Sequence, residues 1–228
     1  MKYIVLGTGI VGQTIAAKLF SLDYEVWMGT RDVEKTRSRT EKNQMSGDSF
    51  ASWYAGNSGI HLANYADLPS DCDGFINATS GGASLDALNS VGNQKLKGKI
   101  ILDIANPLDF SKGMPPSLSV CNTDSLAEQI QRSFPEAFVV KSLNTMNCFL
   151  MMNPSLVPGD HTVFISGNES SAKNTIKSLL ESIGWSSENI IDLGDITTAR
   201  ATEMLLPIWL RLWGSLGTAE FNFHIQKK

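Results

Sequence analysis

Cysteine, histidine and uninterrupted hydrophobic sequence are all scarce in this chain, and each scarcity removes a class of protein. The three cysteines, Cys72, Cys121 and Cys148, are odd in number and far apart, with no Cys-x-x-Cys and no Cys/His cluster. That pattern excludes a disulfide scaffold, a redox dithiol and a structural metal site. Cys148 reads as a small buried hydrophobe. Basic residues do not dominate: 19 Lys and Arg stand against 23 Asp and Glu, for a net charge of −4. A nucleic-acid partner would need the opposite balance. The greasiest stretch, Met204 to Trp213, is short and holds Pro207 and Arg211, so no membrane span is expected. No signal-peptide pattern precedes the first apolar run, and the cytoplasm is the expected location.

What remains is a chain of 228 residues, 42% hydrophobic and 18% charged, long enough for one large domain or two small ones. Strand-like runs at 3–6, 25–28, 60–63, 74–78, 100–104, 138–141, 162–166 and 190–193 alternate with helical segments at 10–21, 82–91, 125–134 and 170–183. Alternation of this kind predicts an α/β fold with a mainly parallel, doubly wound sheet covered on both faces. Residues 37–58 break the rhythm and read as a surface insertion carrying a short amphipathic helix around Phe50, Trp53 and Tyr54. Residues 1–195 form the expected nucleotide-binding domain. Residues 196–228 form a helical extension, expected to serve as a lid or as the contact of a homodimer.

Gly7-Thr8-Gly9-Ile10-Val11-Gly12 is a G-x-G-x-x-G placed directly after the first strand and before the first helix. Gly7 permits the tight turn, Gly9 lets a pyrophosphate approach the backbone, and Gly12 lets helix and strand pack closely. Amide groups and the helix dipole then face the phosphates. The end of the second strand decides which dinucleotide. A site for NAD wants Asp or Glu there, whereas this chain has Thr30, eighteen residues beyond Gly12, followed by Arg31. Thr30 can donate to a 2′-phosphate, Arg31 can pair with it or stack on adenine, and Lys35 lies one helical turn on. Asp32 either competes as the ribose acid or caps the next helix. Between Arg31 and Lys42 five basic residues face three acidic ones, a local exception to the acidic whole. The expected cofactor is NADP(H).

Three strand ends carry unusual polar residues: Asn77-Ala78-Thr79-Ser80, Asp103-Ile104-Ala105-Asn106-Pro107 and Lys141-Ser142-Leu143-Asn144. Ligands of open α/β sheets bind at such ends. Asn106 and Asn144 each offer a donor and an acceptor, suited to a carboxamide or a second heterocycle. Acid–base apparatus is thin. No Tyr-x-x-x-Lys, Gly-x-Ser-x-Gly or Ser-His-Asp arrangement exists, and His61, His161 and His224 stand in no motif. Hydride transfer between two stacked redox cofactors needs positioning more than a protein proton donor, and no catalytic residue is assigned.

The glycine-rich turn, Gly29-Thr30-Arg31 with Lys35, Asn77-Ala78-Thr79, the Asp103–Leu108 segment and Lys141-Ser142-Leu143-Asn144-Thr145 together resemble the NADPH-dependent deazaflavin-coenzyme (F-420) reductases, over roughly the first 195 residues. The tail from Gly194 is similar to bacterial NADP-binding oxidoreductases of that branch. The domain also looks like the cytosolic part of transmembrane metal reductases. The resemblance implies that Thr8, Thr30, Arg31 and Lys35 hold the adenosine phosphates, while Thr79, Asn106 and Asn144 line the nicotinamide and acceptor cleft. It implies a small-molecule redox acceptor: a deazaflavin or flavin coenzyme, with a ferric or free-flavin reductase and a non-catalytic NADP(H)-sensing module as the other readings. The 37–58 insertion is long for the archaeal members. The β-hydroxyacid dehydrogenases share the N-terminal turn but need a large helical second domain, for which the 33 residues after position 195 are too few.

Overall fold

Lys2-Tyr3-Ile4-Val5-Leu6 is apolar on both faces, a pattern that a central strand buries. It forms β1 (Lys2–Leu6) inside an eight-stranded sheet in the computed structural model, which describes residues 1–228. Helix α1 (Ile10–Ser21) follows, then β2 (Glu25–Thr30), the short α2 (Val33–Arg37) and α3 (Phe50–Gly56), and β3 (His61–Asn64). The next half brings β4 (Gly74–Asn77), α4 (Ser84–Val91), α5 (Asn93–Leu96) and β5 (Ile100–Asp103). A small hairpin of β6 (Leu108–Asp109) and β7 (Ser117–Leu118) precedes α6 (Leu126–Ser133) and β8 (Phe138–Ser142). The chain closes with α7 (Cys148–Met152), β9 (Val163–Gly167), α8 (Ser170–Ile183), β10 (Ile190–Asp192) and α9 (Ala199–Leu216).

The sheet runs β10-β9-β8-β5-β4-β1-β2-β3. From β1 the chain winds outward through β2 and β3, then returns to β4 on the other side of β1. This reversal opens a crevice beyond the carboxyl ends of β1 and β4, the topological switch point of a Rossmann-type sheet. All eight expected main-sheet strands form, each within two residues of its expected bounds. Neighbours are parallel except β8 and β9, which pair antiparallel through Val140, Lys141 and Ser142. Residues 143–162 between them carry the five-residue α7 and a 3₁₀ turn at Pro154–Leu156, and lack the long helix that usually makes a parallel return.

Period-two alternation divides the strand residues between two faces. Val5, Ile76, Leu102 and Val140 join one buried cluster with α1 and α8, while Ile4, Phe75, Ile101 and Val139 join another with α4 and α6. The 37–58 stretch begins inside α2 and is rooted in the core by Phe50, which is 2% exposed, with Trp53 and Tyr54 packed beside it. It is therefore more than a surface loop. After residue 195, Ile196 and Ala199 enter the second core cluster, and α9 buries Thr202, Glu203, Leu206 and Trp209 along one stripe. Pro207 lies inside α9. No helix is long and apolar enough to cross a membrane.

Candidate dinucleotide site

Two of the three glycines of the β1–α1 turn are held by constraints within the chain. Gly7 adopts φ +109°, and a Cβ there would stand 2.6 Å from the Ala78 carbonyl oxygen. At Gly12 a Cβ would meet the Gly7 carbonyl oxygen at 2.2 Å, so only glycine lets α1 start this close to β1. At Gly9, by contrast, a Cβ meets nothing within 4 Å. The packing of the chain does not require glycine at position 9, and the open space above it is where a phosphate would come.

That turn forms one wall of a cleft of about 580 Å³. Gly7, Thr8 and Gly9 line it from the turn, and Thr30, Arg31 and Lys35 from the end of β2 and from α2. Ala78, Thr79 and Ser80 follow β4. Thr36, Arg39, Tyr65, Ala83, Asp86, Ala87 and Ser90 also line it, and none of these was singled out from the sequence. Ile10 and Val11 turn instead toward the core. No acidic residue ends β2. Asp32 lines the cleft as well and caps α2, its Oδ1 accepting from the Lys35 amide at 2.9 Å. The Thr30 hydroxyl is 2.7 Å from that of Thr36, and both residues are buried. If Thr36 donates, the Thr30 proton is free to point into the cleft. Burial pushes the Tyr65 phenol upward, against the pull of Arg31, and keeps it a donor.

Beyond Thr79 the polar groups form a chain. Thr79 Oγ1 donates to Asn77 Oδ1 at 2.7 Å, and Asn77 Nδ2 donates to Asp103 Oδ1 at 2.8 Å. The other Asp103 oxygen lies 2.8 Å from the Lys141 ammonium, which also meets Glu203 of α9 at 2.8 Å and the Ala105 carbonyl. All three charged side chains are buried. Glu203 further accepts from the Leu126 and Ala127 amides at the start of α6, where a helix dipole favours a carboxylate. Burial opposes the Lys141 charge, and the two carboxylates overcome it, holding its pKa above the ordinary value. Burial pushes the Glu203 carboxyl upward, against Lys141. Asp103 and Lys141 stand at two of the strand ends singled out in the sequence; Glu203 had no such mark.

Asn106, Pro107 and Asn144 do not line the 580 Å³ cleft. They gather at the adjoining ends of β5 and β8, where the two asparagines brace each other: Asn106 Nδ2 donates to the Asn144 carbonyl at 2.8 Å, and Asn144 Nδ2 to Asn106 Oδ1 at 2.9 Å. Leu143, immediately before, has φ +64°, a left-handed conformation that a branched residue holds only under tertiary constraint. Asn144 is buried and Asn106 only partly so, which makes Asn106 the more open of the two. The Cys148 thiol is buried beside Thr14, its pKa pushed up by burial, as expected for a packing residue. His161 is structural: Nε2 meets the Pro154 carbonyl, and Nδ1 meets Asn222. There is no group of three or more potential metal ligands.

A Rossmann sheet with a glycine-rich turn at its switch point, a threonine in place of the ribose acid and a basic rim defines a dinucleotide-binding oxidoreductase of the NADP type. Residues 2–107 match the family model described as NADP oxidoreductase, coenzyme F420-dependent. A structure from Arthrobacter sp. FB24, provisionally described as an F420-dependent NADP reductase, is 53% identical over the whole of both chains, with a TM-score of 0.93. The chain belongs to the coenzyme F420-dependent NADP oxidoreductase family. It is also 30% identical over 128 residues to the metalloreductase STEAP3 of Rattus norvegicus, a match that takes in 54% of this chain and 24% of that protein. The hypothetical protein SMa0349 of Sinorhizobium meliloti shares the fold at 20% identity, with a TM-score of 0.65 over 88% of each chain.

Proposed function

We propose that this chain binds NADPH in the switch-point cleft and passes its hydride to a flat redox coenzyme, a deazaflavin or flavin, lying against the ends of β5 and β8. The observation that carries the reading is the chemistry of the β2 end: Thr30, Arg31 and Lys35 line the cleft there, and the acid among them, Asp32, gives one carboxylate oxygen to the cap of α2. In this reading Gly7, Thr8, Gly9 and the amides opening α1, including those of Ile10, Val11 and Gly12, face the pyrophosphate. Thr30, Arg31 and Lys35 hold the 2′-phosphate, and Ala78, Thr79 and Ser80 border the inner ribose. Asn106, Pro107 and Asn144 frame the nicotinamide and its acceptor.

When bound, the two cofactors supply the hydride and the ring that receives it. The chain's own part is to hold them. The Asn106–Asn144 brace ties the end of β5 to that of β8, and buried Asn77 fixes the Thr79 hydroxyl, so the cleft wall at Thr79 and the strand ends beside the cleft are both set before ligand arrives. No side chain of the chain is required as acid or base.

Arg31→Ala should weaken NADPH binding by roughly tenfold or more while leaving NADH within about twofold, read by fluorescence titration. Equal losses for both nucleotides would remove the 2′-phosphate assignment. The acceptor is tested by steady-state NADPH oxidation with deazaflavin F-420, FMN and a ferric chelate in parallel, and the deazaflavin is expected to turn over fastest. A ferric or free-flavin reductase is the second reading, favoured by the similarity to the metalloreductase, and a faster rate with the chelate or FMN would establish it. Tight NADPH binding without turnover of any acceptor would leave a nucleotide-sensing module.

A further inference from the structure

We propose that Arg39 is a specificity-determining residue of the cleft, and that the 37–58 segment serves to present its guanidinium to the 2′-phosphate of the bound nucleotide. The inference rests on the reading of the cleft as an NADP(H) site.

Of the five basic residues between Arg31 and Lys42, only Arg31, Lys35 and Arg39 line the cleft. The first two are exposed, whereas Arg39 is partly buried and held in place. Its Nη2 donates to the Thr8 carbonyl, and its Nη1 lies 3.4 Å from Thr8 Oγ1. The Phe50 ring sits beneath it, 5.0 Å from the guanidinium carbon to the ring centroid. Phe50 is itself a core residue, and the Ala51 amide donates to the Arg39 carbonyl at 3.1 Å. Side chain and backbone are thus both tied to α3, which carries the arginine across to the glycine-rich turn.

This placement has a chemical consequence. A guanidinium has five N–H donors in a planar fork, and Thr8 engages only part of them. The remainder are available for phosphate oxygens. Arg39 lines the same cleft as Arg31 and Lys35 after β2, with its guanidinium held against Thr8 of the turn after β1. Without it the charged lining would be two cations, Arg31 and Lys35, against two acids, Asp32 and Asp86; with it the lining carries a net positive charge. A 2′-phosphate brings a charge of about −1.5 to −2 at pH 7. Burial works against the charged guanidinium at this position, and an incoming phosphate offsets that penalty.

The test is calorimetric titration of wild type, Arg39→Ala, Arg39→Gln, Arg39→Lys and Arg31→Ala with NADPH, NADH, 2′-AMP and 5′-AMP, with thermal melts of each. Arg39→Ala should lose tenfold or more in affinity for NADPH and 2′-AMP, about 1.4 kcal/mol, and keep NADH and 5′-AMP within about twofold. Arg39→Gln keeps a donor for the Thr8 carbonyl without the charge, so it should melt like wild type and still lose NADPH preference. Arg39→Lys should recover part of the preference. An unchanged NADPH affinity, or an equal loss for NADPH and NADH, overturns the role of Arg39. If wild type prefers NADPH and Arg31→Ala alone abolishes the preference, only Arg39 is wrongly assigned. A wild type with no preference for NADPH overturns the reading of the cleft together with this inference.

Discussion

Lys141→Ala should destabilise the chain by about 3–5 kcal/mol, because it leaves two buried carboxylates facing each other without their cation. For a chain of this size that corresponds to a fall in melting temperature of roughly 6–20 °C. The size of the effect follows from the arrangement: Lys141, Asp103 and Glu203 are shut away from water, and one ammonium serves both acids. Glu203→Gln should cost less. It leaves Lys141 and Asp103 as a balanced pair and removes the acid that burial already pushes toward its neutral form. The same variants report on the site, since Asp103 holds Asn77 and Asn77 holds Thr79. Thermal melts of both variants are the check. A Lys141→Ala protein within about 1 kcal/mol of wild type would mean that the triad carries little of the fold's stability.

The second large effect separates folding from binding within one turn. Gly9→Ala should lower the melting temperature by only a few degrees, since a methyl group there meets nothing within 4 Å and the loss is confined to an N-cap preference of about 1 kcal/mol. Its NADPH affinity should fall at least tenfold, because the methyl occupies the space a pyrophosphate needs next to the backbone. Gly12→Ala should lose affinity and more of the stability. Its methyl would stand 2.2 Å from the Gly7 carbonyl oxygen, a backbone atom that can yield only if the turn itself moves, an overpacking cost of about 1–3 kcal/mol. Melting curves and fluorescence titrations of the two variants side by side distinguish the roles. Normal NADPH binding by Gly9→Ala would show that the phosphates do not approach this turn.

Much of this was legible in the residues. Local apolar runs mark the main-sheet strands because a doubly wound sheet buries both faces of its central strands, and the turn shows itself as glycines at fixed spacing, two of them, Gly7 and Gly12, required by the backbone. The hairpin after Pro107 and the antiparallel return at β9 were not legible: two-residue strands and a five-residue helix are too short for a periodic signal. The site was legible where its residues follow strand ends, as Thr30, Arg31 and Thr79 do. It was hidden where distant elements dock. Glu203 lies 62 positions from Lys141, and its signal is an acid on the buried stripe of α9, between Thr202 and Leu206. Arg39 reaches Thr8 only because Phe50 anchors α3 in the core, so in sequence it is one cation among several. Thr36 behind Thr30 left no local trace at all.

The most direct test of the account is a single turnover under anaerobic conditions: enzyme mixed with NADPH deuterated at the transferred position and oxidised deazaflavin F-420, followed by the loss of deazaflavin absorbance and by mass analysis of the product. The account predicts rapid bleaching with NADPH, slow bleaching with NADH at equal concentration, and deuterium in the reduced deazaflavin. Bleaching that proceeds equally with NADH, or a reduced product that carries hydrogen from solvent instead of deuterium, would contradict it.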